Sequence, residues 1–263
     1  MLKREMKINL KSFIIWMSII LGLFLLIYLV YPSIINSDNI KMMDEMMKLF
    51  PEELLKAFNM DISSMDTAYG YLKTEGFVFI LLLTGIYSSI IGSNILLKEE
   101  NDKTIEYLNT LPITRKSILK DKLICAFTYI LLMIIAIGLF NYICLILSGD
   151  FNVKEFILLS ITPIFSSLPI FAISLYVSTF THKTKKVLGF SLGFVLIEYF
   201  LNILSEMNEV IEFLKYFTVY TLSDIRNVIT NISINPLMPL ISIIITIIFI
   251  ILIFIRYNKK ELV

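Results

Sequence analysis

The sequence predicts an all-α integral membrane protein with six transmembrane helices, an N-terminal interfacial helix and amphipathic helices between the spans. Three observations predict it. First, hydrophobic residues make up 57% of the 263 residues and charged residues only 17%, at a mean hydropathy of +0.81. A soluble chain of this length could not keep so much apolar surface out of water. Second, the runs 13–31, 76–97, 123–147, 156–180, 187–205 and 237–255 carry a single charge between them. Each is long enough to cross about 30 Å of hydrocarbon. Third, lysine and arginine fall unevenly on the segments that join these runs, 16 on one alternate set and 7 on the other. The net charge of +1 does not imply a nucleic-acid partner. Residues 1–263 read as one transmembrane domain.

The elements follow in order. In residues 1–12, Leu2, Met6, Leu10 and the adjoining Phe13 oppose Lys3, Arg4, Lys7 and Lys11. That pattern suits a helix lying in a membrane interface. The uncharged run 13–31 is too long for a signal-peptide core of about 7–15 residues and lacks a small-residue cleavage site, so it reads as an uncleaved span. Residues 32–75 are amphipathic: Ile40, Met43, Met47 and Phe50 oppose Lys41, Asp44, Glu45 and Lys48. Pro51, Glu52 and Glu53 then open a second short helix, with proline first and carboxylates in the first turn. Methionine packs adaptably, so this face suits lipid, other spans or a cargo.

In 76–97, Gly85, Ser89 and Ser93 recur every four residues, a spacing that lets helices approach closely. Gly189 and Gly193 repeat it in 187–205. Cys125 and Cys144 lie on one predicted helix, about 28 Å apart at helical rise and beyond disulfide reach. Pro163 and Pro169 interrupt 156–180 and predict a kink. Glu198 is the one charge inside a span. A carboxylate there costs about 2.5–3.5 kcal/mol on insertion scales, so it needs a partner, water or a proton. In 206–235, Val210, Phe213, Leu214 and Phe217 oppose Glu209, Glu212 and Lys215.

Six spans put both termini on one side. The 16-to-7 split makes that side cytoplasmic, together with the loop between the second and third spans. This loop, 96–122, has a definite grammar. Asp102 or Thr104 offers a side-chain oxygen to cap a short helix. Ile105, Leu108 and Leu111 recur every three residues along one side, and Pro112 ends the helix. Thr114 caps a second helix carrying Arg115, Lys116, Lys120 and Lys122. The result is a lever with an apolar edge and a cationic root at the membrane surface.

Glu99, Thr104-Ile105-Glu106, Leu108, Leu111-Pro112, Thr114-Arg115 and Lys122 resemble the signature of ABC type-2 transporter permeases. Lys103 departs from it, standing where that family usually has glycine. The run PEELLKAF from Pro51 also resembles the external segment that many such permeases carry. The resemblance implies a coupling helix docked on a cytoplasmic ABC ATPase through Glu99, Thr104, Ile105, Glu106, Leu108, Leu111, Pro112 and Arg115. It implies a translocation path along the second and fifth spans, near Gly85, Ser89, Ser93, Gly189, Gly193 and Glu198. It implies a second permease copy or sibling, ATP and magnesium on the partner ATPase with no cofactor on this chain, and a multi-pass protein of a bacterial cell membrane.

Absent motifs bear on catalysis. There is no GxxxxGK[ST] phosphate cradle, no HExxH and no pair of intramembrane aspartates. His182 is the only histidine and has no evident acid partner within a span. These absences predict a transport subunit rather than an enzyme; the resemblance implies export, and the nearly uncharged spans with amphipathic external segments favour a hydrophobic or amphipathic cargo such as a peptide, antibiotic or lipid-like molecule. A non-transporting membrane scaffold or immunity protein, and an intramembrane enzyme, are the competing readings.

Overall fold

The computed structural model describes residues 1–34, 49, 67–102, 104, 113–149, 151–207 and 209–260. Most of the amphipathic segment read over 32–75 lies outside these residues, as do Lys103 and the stretch 105–112. The described residues are helical, with no strand among them. Six helices or helix pairs are long and apolar enough to cross a membrane.

The first helix, α1 (Leu2–Ile34), runs without a break where the interfacial start was expected to give way to a span. Its 33 residues extend about 50 Å, well beyond the hydrocarbon thickness. The amphipathic turns therefore continue the span beyond the apolar core. The long helix α5 (Arg115–Ser148) stands beside them. Tyr129 Oη donates to the carbonyl of Met6 at 2.5 Å, and the Met1 ammonium sits 3.6 Å from Asp121.

The second span begins earlier than its uncharged run. Thr67 accepts from the Gly70 amide and caps α2 (Ala68–Tyr71), which continues through a π turn (Leu72–Gly76) into α3 (Phe77–Asn94). The charge that marked Lys73 as loop is neutralised by Glu155 at 2.6 Å. Past α3 the chain turns through Ile95–Leu97 into a single turn, α4 (Lys98–Asn101). Asp102 closes that turn, and the helix that it or Thr104 was expected to cap lies outside the described residues. Thr114 does cap α5, accepting from the Ser117 amide. Gly149, at φ 142°, occupies backbone space open chiefly to glycine and stops α5.

The fourth span is two helices, α6 (Val153–Ile161) and α7 (Pro163–Ser178), with Pro169 inside the second. Each proline removes an amide and frees the carbonyl four residues back. The carbonyl of Leu159, freed by Pro163, accepts from the Thr162 hydroxyl at 2.8 Å. The carbonyl of Phe165, freed by Pro169, accepts from Ser242 at 2.6 Å. Ser242 belongs to the last span, α10 (Leu237–Tyr257). Between them come α8 (Thr184–Met207), two 3-10 turns (Glu209–Phe217 and Val219–Ser223) and α9 (Ile225–Asn231).

The centre of the bundle is α3 against α7. Two-thirds of the second span is buried (67%), against 17% of the first and of the last, which turn apolar faces to lipid. Gly92 lets α3 and α7 meet: a Cβ there would lie 2.7 Å from the Phe171 carbonyl.

The proline repair carries a prediction. Ser242→Ala should cost about 1–3 kcal/mol, because a carbonyl in the apolar interior loses its donor. Adding Pro169→Ala should recover most of that loss by restoring the helix's own amide. Thermal unfolding of the two variants in one detergent checks it, and a double variant as unstable as the single one would refute it.

Candidate functional site

Two polar assemblies lie at opposite ends of α3. The first is beside the termini. Lys122 is 1% exposed, although sequence places it in a surface cationic root. Its ammonium has three protons, and three elements receive them. The Ile95 carbonyl accepts at 2.7 Å, Glu99 at 2.7 and 2.8 Å, and Glu5 of α1 lies at 3.4 Å. Glu5 is wholly buried and also holds Lys98 at 2.5 Å. Two carboxylates and two ammoniums thus close a neutral knot. It joins α1, the turn after α3, and α5.

A second group flanks it. Glu100 pairs with Lys260 at 2.9 Å and with His182 Nδ1 at 2.6 Å. Arg115 donates to the Lys260 carbonyl at 2.7 Å, and Asn101 donates to Thr184. The single turn α4 is therefore fastened on one side to α1 and α5 and on the other to the C-terminal end and the α7–α8 turn. His182 is exposed and takes its acid partner, Glu100, from the single turn α4, which sequence reading did not find. The amide of Thr104 donates to the Glu99 carbonyl at 2.9 Å, so the segment leaves the knot from a fixed point.

The far end of α3 is built differently. Glu198 of α8 is 8% exposed and accepts from the Val219 amide at 2.7 Å, while Thr218 Oγ1 donates to the Glu198 carbonyl at 2.9 Å. The intramembrane carboxylate thus anchors the second 3-10 turn. That turn carries Tyr220, whose hydroxyl lies where a Cβ on Gly85 would be, 2.1 Å from it. Burial pushes the Tyr220 phenol up from its ordinary value, so it stays neutral. Gly85 is a socket, and the connection between α8 and α10 folds back into the bundle to fill it.

The sequence matches the family described as ABC-2 family transporter protein over residues 1–262. The chain belongs to that family. No curated protein and no solved structure matches it. It is a membrane-spanning permease subunit, multi-pass, of a family whose members work with an ABC ATPase.

In this ABC-2 permease, the residues read from sequence other than Gly85 and Glu198 fall into four groups. Glu99, Thr104 and Arg115 lie in or beside the charged groups just described. Ile105, Glu106, Leu108, Leu111 and Pro112 lie outside the described residues. Ser89 and Ser93 are buried in α3 and bond their own helix's carbonyls. Gly189 and Gly193 differ: among the described residues nothing lies within 4 Å of a Cβ at either. The residues missed were Glu5, Glu100, Lys260, Gly92 and Tyr220. One signal was available, since Glu5 is the only acid in the first 34 residues.

Lys122→Met should destabilise the permease by about 3–5 kcal/mol, because it strands buried carboxylates without their counter-charge. Lys122→Met with Glu99→Met should be milder than either single change, since Glu5 keeps Lys98. Thermal melts of the singles and the double check the order, and additive losses would contradict it.

Proposed function

We propose that this permease exports a hydrophobic or amphipathic cargo, driven through residues 98–122 by ATP hydrolysis on a cytoplasmic ATPase subunit. The observation that carries the reading is the fastening of this segment at both ends. Its entry, Glu99 and Glu100, and its exit, Arg115 and Lys122, are ion-paired or hydrogen-bonded to the body of the bundle. A displacement of the segment is therefore passed to α1, α3, α5 and the C-terminal end together. Within it, Thr104, Ile105, Glu106, Leu108, Leu111 and Pro112 form the ATPase contact, with Glu99 and Arg115 as its roots. ATP and magnesium bind the ATPase, and this chain holds no cofactor.

Both termini are cytoplasmic in this reading, supported by the 16-to-7 division of basic residues. The membrane is a bacterial cell membrane. A second permease, a copy or a sibling, completes the pathway. The open faces of Gly189 and Gly193 support that pairing, since small residues allow close helix approach. Gly85, Ser89, Ser93 and Glu198 line or border the path on the second and fifth spans. The cargo class rests on the apolar spans and on the amphipathic turn Glu209–Phe217, where Val210, Phe213 and Phe217 are exposed.

Two measurements test the reading. Leu108→Asp should abolish co-purification of the ATPase while insertion in the membrane survives, because no span is altered. Glu106→Ala should keep the complex and lower export per ATP hydrolysed. Normal capture and normal export in Leu108→Asp would move the contact elsewhere. For sidedness, single cysteines at Ser148 and Ser233 in a Cys125→Ser, Cys144→Ser background should label from outside intact cells with an impermeant thiol reagent. A cysteine at Ser117 should not, and its labelling would invert the topology.

A further inference from the structure

A cavity of about 370 Å³ opens at the end of the bundle away from the termini, between α3, α8 and the connection from Glu209 to Asn231. That volume is in the range of small-molecule sites, about 300–1,000 Å³. Val78, Leu81, Ile203 and Ile225 give it an apolar wall. Its charges are three carboxylates, Glu206, Glu212 and Asp224, and two cations, Lys215 and Arg226.

The charges are not equally engaged. Lys215 is held by Glu212 at 2.6 Å on the exposed rim. Asp224 keeps to its own loop, where Asn227 and the Asn235 amide lie against its carboxyl. Among the described residues Glu206 has one hydrogen-bond donor, Asn202 Nδ2, at a long 3.4 Å. Arg226 is near enough to act on it through space, but among the described residues no cation lies within ion-pair distance of Glu206. A half-buried carboxylate with about four acceptor positions therefore faces the cavity with most of them open.

We propose that this cavity binds an amphipathic amine, its primary ammonium on Glu206 and its apolar chain along Val78, Leu81 and Ile203. An ammonium supplies three donors to a carboxylate short of them, and the apolar wall takes a chain that water would not hold. A bare metal ion fits poorly. Calcium and magnesium require about six oxygen ligands, and among the described residues no three acidic, histidine or cysteine side chains, those of the cavity included, are placed together to hold an ion. The proposal deepens the permease reading, on which it rests for the amine being cargo.

The test uses the full chain, without ATPase or nucleotide, in phosphatidylcholine nanodiscs. The probe is dansylcadaverine, a primary amine on an apolar body, with its N-acetyl derivative as the uncharged control. The amine should bind at least tenfold more tightly than the acetylated form. Glu206→Gln should reduce amine affinity to that of the acetylated probe. Arg226→Gln should raise it a few-fold by removing the competing cation, a gain that misfolding cannot produce. Lys185→Gln, exposed on α8 outside the cavity lining, should leave it within twofold. Equal affinity for the two probes, or an unchanged Glu206→Gln, overturns the assignment. Phosphatidylethanolamine in the nanodisc separates two sources of the same chemistry: competition identifies a lipid headgroup, and its absence a free amine. Loss of binding with ATPase capture intact refutes the ligand alone, and loss of capture with binding intact refutes the coupling segment alone.

Discussion

The arrangement depends on where the Lys122 ammonium goes. A lysine at 1% exposure must have its charge met and its three protons received. The acceptors come from positions far apart in sequence: Glu5, Ile95 and Glu99. Satisfying one ammonium thus fixes α1 against α5 and closes the turn after α3. Buried ion pairs give little net stability over apolar packing of the same volume, yet breaking one is costly. The knot therefore acts on register more than on overall stability. A slip of either helix by one residue carries a charge away from its partner.

The membrane part of the fold was largely legible because hydropathy and length act locally. The cap at Thr114 was legible for the same reason, since its partner is three residues away. The prolines predicted a kink but not its repair, because the donor for Phe165 lies on another span, at Ser242. Spacing of small residues said that helices could approach, without saying which would. Gly92, adjacent to the predicted stripe, meets the α7 backbone, and Gly85 receives the Tyr220 ring together with the tip of Ile170 on α7. The same spacing at Gly189 and Gly193 meets nothing among the described residues. Periodicity describes one helix, and contact is a property of two.

Charge was read correctly as a count and incompletely as a location. The basic residues described near the termini do gather at one end of the bundle, as an excess on alternate segments requires. But Lys122 and Lys260 turn inward to Glu99 and Glu100, while Lys116 and Lys120 remain exposed. Two adjacent glutamates on one turn point to different parts of the bundle, one to α1 and α5, the other to the C-terminal end and His182. Adjacent residues on a helix are about 100° apart around its axis, so a single turn can be held from two sides. Composition carries no trace of that division.

The two polar assemblies share one element. Nine residues of α3 lie between Gly85 and its end at Asn94, about 14 Å at helical rise, and the turn Ile95–Leu97 joins that end to Glu99. Over most of that length α3 is packed against α7 closely enough that Gly92 leaves no room for a methyl group. A helix so confined does not bend easily, because interior packing leaves few voids to absorb a change. Its movements are those of a rod. A shift that reaches the end of α3 through the turn Ile95–Leu97, whose Ile95 carbonyl is held by Lys122, is carried along the helix to Gly85, where the Tyr220 hydroxyl already occupies the space of a side chain. Tyr220 sits on the turn anchored by Glu198 of α8, so it cannot yield without drawing on that anchor. Its ring also forms part of the cavity wall beside Glu206. The geometry of the cavity is thus tied through one rigid helix to the charged knot beside the termini.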